Sequence, residues 1–337
     1  MSASRITLAI PSYGRPAETR ALLESILAAD DLPDEVLLCE DMSPQREEIR
    51  ARVLELTEAF HARGTTLTWH ENEHNLGFDR NLKALIRNAT GDFVMWMGND
   101  DKLLKTGMHP VRNVLEKFPA TRFFSCAYVQ FDGATDAPLH LTRHFDKDVV
   151  VSTGAGNVFK LSSFISGTIV NRPWALERET DTFDGGLFYQ VYLAACAWIE
   201  GGIGYVSEPI VGSRRGGVPL FGAAATEKRE HAPGRIAVRG RTGMYRSVLE
   251  IARHLDREHG SLMTEEICKE LDSRQIFHVY EDFVGRPRTE VLELFRSLRS
   301  IGMGRSFVHK LCFATALTGG PLAAWAFRKA RSLRDSH

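Results

Sequence analysis

The stretch Thr90-Gly91-Asp92-Phe93-Val94-Met95-Trp96-Met97-Gly98-Asn99-Asp100-Asp101 decides the fold. A small-residue turn leads into five apolar residues, and the run ends in adjacent carboxylates. Phe93 to Met97 reads as a strand buried on both faces. Asp100 and Asp101 then fall where that strand leaves the sheet. In open α/β sheets, ligands bind beyond the carboxyl ends of the strands. Neighbouring carboxylates repel unless a cation arrives, and a hard divalent ion carrying phosphates meets that need. Aspartate also caps helix N-termini, so the pair alone decides nothing.

The same alternation extends on either side. Ile6 to Ile10, Glu35 to Cys39 and Leu67 to His70 read as buried strands, and Phe123 to Phe131 as another. Helical spacing separates them: Leu22, Leu23, Ile26 and Leu27; a charged helix after Ser43-Pro44; Leu82, Leu85 and Ile86; Val111, Val114, Leu115 and Phe118. This predicts a mostly parallel sheet covered by helices. Beyond Phe131 the alternation stops. Asp132 to Asn157 reads as a long polar loop, Ile165 to Val170 as a strand, Leu187 to Ile199 as a buried helix and Ile203 to Val206 as a short strand. Gly212 to Arg241 reads as a lid, and from Arg246 onward the pattern is helical.

The chain has 337 residues, 43% hydrophobic and 25% charged, as expected of a globular protein of one large domain plus an appendage, or two domains. A net charge of -1 gives no overall field that would draw it to nucleic acid. The tail differs: Arg286 to His337 holds ten Lys/Arg against three Asp/Glu. Cys39, Cys126, Cys196, Cys268 and Cys312 are scattered and form no C-x-x-C, which argues for a reducing compartment and against structural zinc. The N-terminus runs straight into a strand, so no signal peptide is expected. Leu311 to Phe327 is apolar, bracketed by Lys310 and Arg328-Lys329, and broken by Gly319-Gly320-Pro321. It reads as a core helix pair, or as an interfacial segment on an anionic membrane.

Three strand ends deliver chemistry to one sheet edge: Pro11-Ser12-Tyr13-x-Arg15, Glu40-Asp41-x-Ser43 and Asn99-Asp100-Asp101. Asn75-Leu76-Gly77-x-x-Arg80-Asn81 opens a helix between the last two. An aromatic face, a carboxylate acceptor, a guanidinium and a cation site suit a nucleoside diphosphate. A dinucleotide oxidoreductase would need G-x-G-x-x-G after the first strand, and Pro11 to Pro16 lacks it. His70-Glu71-Asn72-Glu73-His74 matches H-E-x-x-H, but the match straddles a strand end where zincin chemistry needs one helix face.

These motifs resemble those of GT-A fold glycosyltransferases of family 2, the inverting enzymes that use nucleotide-diphospho sugars. That family runs P-[ST]-Y-N-R, D-D-x-S, an N-x-G turn, A-x-G-[DE] and D-x-D-D. Here the pieces read Pro11-Ser12-Tyr13-Gly14-Arg15, Glu40-Asp41-Met42-Ser43, Asn75-Leu76-Gly77, Ala89-Thr90-Gly91-Asp92 and Gly98-Asn99-Asp100-Asp101. Each is weak alone, and their order and spacing together are specific. Gly98 departs from the family, standing where its first motif aspartate stands.

The resemblance implies an α/β, GT-A architecture, with residues 1–220 as the transferase domain; residues 221–337 read as a helical extension, a candidate for contact with a membrane surface or another subunit. It implies a donor site of Pro11, Ser12, Tyr13, Arg15, Asp41, Gly77, Arg80, Asn99 and Asp100, with Mg²⁺ or Mn²⁺ held by Asp100 and Asp101. Tyr13 would flank the base, Asp41 accept from it, and Arg80 lie near the ribose or diphosphate. Asp184, ahead of the buried helix, is the candidate general base, with Asp181 and Glu179 as competitors. Ser166-Gly167-Thr168 could border the acceptor. The expected partners are a nucleotide-diphospho sugar and a glycan or lipid-linked glycan of surface-polysaccharide or O-antigen type, without nucleic acid. The expected location is cytoplasmic, peripheral on the inner membrane. Gly98 keeps open a non-catalytic scaffold that binds a nucleotide or sugar.

Overall fold

In the computed structural model, which describes residues 4–228, 230–234 and 236–335, the strand β1 (Ile6–Ser12) is buried at nearly every position. Burial on both faces requires cover on both faces. Side chains alternate: Ile6, Leu8 and Ile10 join one apolar cluster, while Ala9 joins the other. The remaining strands are β2 (Glu35–Glu40), β3 (Thr66–Glu71), β4 (Phe93–Trp96), β5 (Lys102–Leu103), β6 (Phe123–Asp132), β7 (Pro138–Thr142), β8 (Val149–Val151), β9 (Thr168–Asn171) and β10 (Ile203–Arg215). Their order across the sheet is β3-β2-β1-β4-β9-β6-β10-β5, with β7 beside β6 and β8 beside β10.

β3, β2, β1 and β4 run parallel, as the alternating pattern predicts. Beyond β4 the sheet is mixed: β9 is antiparallel to both β4 and β6, while β10 runs parallel to β6. The N-terminal crossovers are helices α1 (Pro16–Leu27), α2 (Arg46–Ala62), α3 (Phe78–Asn88) and α4 (His109–Lys117). Helices α1, α2 and α4 cover one face, through Leu22, Ile26, Val53, Phe60, Val111 and Val114. α3 covers the other through Leu82, Leu85 and Ile86.

α5 (Gly156–Ser162), α6 (Arg172–Glu177) and α7 (Tyr189–Glu200) follow. After β10 come α8 (Val238–His259), α9 (Met263–Glu270), a π-helical turn (Leu271–Gln275), α10 (Ile276–Glu281), α11 (Arg288–Ser300), α12 (Phe307–Thr318) and α13 (Gly320–Asp335). Val248, Leu271, Tyr280 and Leu294 from these helices belong to the same apolar cluster as Trp96 and Leu85. The C-terminal helices therefore extend the core on the α3 face of the sheet.

Three expectations need correction. The loop expected over 132–157 contains β7, which is largely exposed, and β8, only three valines long, and both are too short to stand out in a polar, Gly-rich stretch. β10 is thirteen residues long, not four, because a register shift between Val206 and Val211 absorbs the Ser207-Glu208-Pro209 interruption. The lid expected at 212–241 therefore begins only after Arg215, and the final helices begin at Val238. Leu311 to Phe327 forms α12 and α13, parted at Gly319 and Gly320, both with φ 67°. No helix among the described residues is long and apolar enough to cross a membrane.

Candidate active site

A cavity of about 520 Å³ opens at the carboxyl ends of β1, β2 and β4. Pro11, Ser12, Tyr13, Arg15, Asp41 and Gly77 line it, together with Asn99, Asp100 and Asp101. The expected donor-side and cation-side residues thus share one hollow, with Arg80 the exception.

The first wall is the end of β1. Gly14 and Arg15 both adopt left-handed backbone, with φ 65° and 62°, turning the chain sharply before Pro16 starts α1. Ser12 donates to Glu40 Oε2 at 2.6 Å, and Glu40 Oε1 accepts from the Ser43 N–H at 2.8 Å. Glu40 is wholly buried, so it ties β1 to the turn after β2. Asp41 accepts from the N–H groups of Leu76 (2.8 Å) and Gly77 (2.9 Å) and from Asn72 Nδ2 (2.9 Å). Burial raises its pKa, and those donors oppose the rise. A carboxylate offers about four acceptor sites, so one remains for a ligand. Burial, then the Asp41 charge, also raises the Tyr13 pKa.

The second wall is the end of β4. Asn99 Nδ2 donates to the Gly14 carbonyl at 3.1 Å, joining the two walls. Asp100 Oδ2 lies 2.7 Å from Arg15 Nη1, and Arg15 Nη2 donates to the Val218 carbonyl at 2.6 Å. Asp101 is buried. Its Oδ2 accepts from the Ser166 hydroxyl at 2.5 Å and its Oδ1 from the Arg214 N–H at 2.8 Å. Burial, and then the Asp100 charge, pushes the Asp101 carboxyl up to about 7. Ser166, expected near an acceptor, instead serves this carboxylate.

The oxygen donors suit a hard divalent ion, which commonly takes one or two carboxylates and completes its shell with substrate phosphates and water. Asp100 Oδ1 has no hydrogen-bond partner among the described residues, so one oxygen stands open beside Asp101. No group of three or more His, Cys, Asp or Glu among the described residues could hold a metal ion alone. Residues and cation fit when a diphosphate shares the site.

The segment after β10 forms the cover. Glu227 Oε1 accepts from the Phe78 N–H at 2.6 Å and Oε2 from the Gly222 N–H at 2.7 Å. Gly77 sits beneath with φ 85°; a Cβ there would come within 2.8 Å of Thr226 Oγ1 and 2.9 Å of Glu227 Oε1. Phe221 meets the Phe78 ring edge-on at 6.1 Å. Reading the sequence missed Glu227 and Arg214, since nothing local marks a residue whose partners lie more than 100 positions upstream.

Arg80 and Asp184 do not reach the cavity. Arg80 Nε lies 2.6 Å from Asp184 Oδ2, and Lys83 Nζ lies 2.7 Å from Asp184 Oδ1. Lys83 is buried and also pairs with the competitor Asp181; Glu179 pairs with Arg87. Asp79, also on α3, accepts from the N–H groups of Gly185, Leu187 and Tyr189 at 2.9 to 3.0 Å. Burial pushes Asp79 up to about 6 against those donors. The structure thus places Asp184, expected as the base, and Arg80, expected near the diphosphate, in a clamp between α3 and the start of α7. Gln190, in the first turn of α7, does reach the cavity. Its Oε1 is buried and has no partner among the described residues.

The far end of the cavity is apolar and aromatic, lined by Phe159, Phe164, Phe188, Met244 and Tyr245, with Arg241, Gln275 and His278 as its polar groups. The last five of these come from the C-terminal helices and the π-helical turn.

A layered sheet whose strand ends gather carboxylates, a tyrosine and an arginine into one cleft is the GT-A arrangement. Residues 7–168 match the family model described as Glycosyl transferase family 2. A curated relative, an uncharacterized glycosyltransferase of Haemophilus influenzae, is 29% identical over 118 residues. The match covers 35% of this chain and 37% of that protein, so the chain spans little more than a third of the relative's length. Among solved structures, S. aureus TarS 1-349 superposes with a TM-score of 0.56 at 12% identity, covering 93% of this chain and 90% of that one. The mannosyltransferase PcManGT from Pyrobaculum calidifontis, in complex with GDP-Man and Mn²⁺, gives 0.51 at 15% identity, covering 100% and 82%. At such identities the likeness shows a shared fold.

Proposed function

We propose that the chain is an inverting glycosyltransferase that moves a sugar from a nucleotide-diphospho donor to a hydroxyl of a glycan or lipid-linked glycan, in surface-polysaccharide or O-antigen-type assembly. The observation that carries this reading is the shared cavity of Tyr13, Asp41, Arg15 and Asp100, from three separate strand ends. Tyr13 would face the base and Asp41 would accept from it. Arg15, already paired with a carboxylate, would compensate diphosphate charge. Asp100, supported by Asp101, would hold Mg²⁺ or Mn²⁺, which offsets charge on the leaving diphosphate. A TarS complex is described with UDP-GlcNAc and PcManGT with GDP-Man and Mn²⁺, which supports the same class of donor and ion here.

In the reaction, the acceptor oxygen bonds to the anomeric carbon as the bond to the diphosphate oxygen breaks. The hydroxyl proton passes to a general base. The cover after Arg215, with Glu227 pinning it to Phe78, would exclude water. We assign residues 1–220 to the transferase domain and residues 221–337 to an extension that completes the acceptor end. A lipid-linked acceptor places the enzyme at the cytoplasmic face of a membrane. A non-catalytic scaffold draws on one observation: neither Asp184 nor Gln190 offers a free carboxylate at the start of α7.

The test is release of nucleoside diphosphate from a panel of nucleotide sugars. Turnover is expected for one donor with Mn²⁺, and loss of at least about a hundredfold in Asp100→Ala/Asp101→Ala. Binding without turnover for every donor would establish the scaffold.

A further inference from the structure

Among the described residues, ten large apolar side chains are exposed, and five of them crowd into α12 and α13. Phe307 is 78% exposed, Leu311 54%, Leu322 76% and Trp325 59%, with Val308 beside them. α12 turns His309, Cys312 and Ala316 inward, so Phe307 and Leu311 occupy its outer side. α13 turns Ala323 and Phe327 inward, which leaves Leu322 and Trp325 outward. The two outer sides follow each other across the Gly319–Gly320 turn.

The charge around this surface has one sign. Between Leu294 and Arg334 the sequence contains eight Lys/Arg and no Asp or Glu. Arg305, Lys310, Arg328 and Lys329 are exposed and have no carboxylate partner among the described residues. Arg331 is different: it pairs with Glu281 of α10. Apolar side chains flanked by unpaired cations, on helices too short and too broken to span, fit the boundary of an anionic bilayer. There a tryptophan sits at headgroup depth and each nearby cation adds attraction. A second copy of this chain would bring the same cations against one another.

We propose that the outer face of α12 and α13 docks on the surface of a membrane rich in anionic phospholipid, with Phe307, Leu311, Leu322 and Trp325 entering the headgroup boundary and Lys310, Arg328 and Lys329 at the phosphates. α12 packs on α10, and His278 of α10 lines the cavity, so a single helix links the docking helices to the acceptor end. Docking would present the cavity to an acceptor held in the same membrane.

The test is co-sedimentation of the full chain with vesicles of phosphatidylcholine alone, or with about a third phosphatidylglycerol. Binding to the anionic vesicles is expected to be at least about tenfold stronger and to weaken in high salt. Leu311→Ser/Trp325→Ser and Lys310→Ser/Lys329→Ser should each lower it about tenfold, with unchanged melting temperatures showing that both variants fold. Equal binding to both vesicles, or binding that both variants retain, overturns the proposal. So does a concentration-dependent dimer that the apolar variant abolishes without any vesicle binding. Vesicle binding needs no turnover, so this result stands apart from the donor assay.

Discussion

Gly98 stands where the family motif carries an aspartate, and its surroundings explain the exchange. A Cβ there would lie 3.1 Å from Asp101 Oδ2, 3.2 Å from Ser166 Oγ and 3.4 Å from Asp100 Oδ1. Gly98→Asp would add a third carboxylate to a pair that already repels, in a crowded site. It should destabilise the fold by about 1–3 kcal/mol in thermal denaturation, without strengthening Mn²⁺-dependent nucleotide binding. Gln190 carries the opposite signature, a buried oxygen lacking a donor. Gln190→Leu should keep the nucleotide-induced melting shift and lower transfer about tenfold, because only a substrate hydroxyl supplies that donor. His144 reports on pH. Burial, with Lys160 nearby, pushes its pKa down to about 4. The unfolded chain takes up this proton near pH 6.5 while the folded chain refuses it, so stability falls as pH drops from about 6.5 toward 4. Melting curves of His144→Gln should lose part of that acid-side decline.

Helix α3 shows what a whole element does that its sequence conceals. Its apolar side, Leu82, Leu85 and Ile86, was legible from spacing alone, and so was its start at Gly77. Its polar side holds the start of α7 through Asp79, Arg80 and Lys83. A one-dimensional pattern reveals an acid ahead of a buried helix, but not that two cations about 100 residues upstream already hold it. The pairing of Asp184 with Arg80 and Lys83 was not legible for that reason. β10 was cut short for a related one: Pro209 and Glu208 break the apolar run, and only pairing across a bulge restores the strand. Lys83→Met should leave Asp184 buried with only the more exposed Arg80 beside it. The expected loss is about 3 kcal/mol, or about 4 °C in melting temperature.

At the scale of the molecule, the donor end was readable because strand ends in a parallel sheet share one edge, whatever the loops do. Tyr13, Asp41 and Asp100 meet in one cavity for that reason. The far, apolar end of the cavity was not readable. It is assembled from α5, α7, α8 and the turn before α10, whose joint placement follows from packing across the sheet rather than from any local motif. The central claim is that this cavity grips a nucleoside diphosphate through a cation held at Asp100. Thermal denaturation with UDP, GDP, CDP and dTDP, each with and without Mn²⁺, tests it most directly. At roughly a hundred times its dissociation constant, one nucleotide should raise the melting temperature by about 4 °C, with Mn²⁺ only, and the rise should vanish in Asp100→Ala. Four nucleotides without effect, or an Asp100→Ala variant that responds like the parent protein, would contradict it.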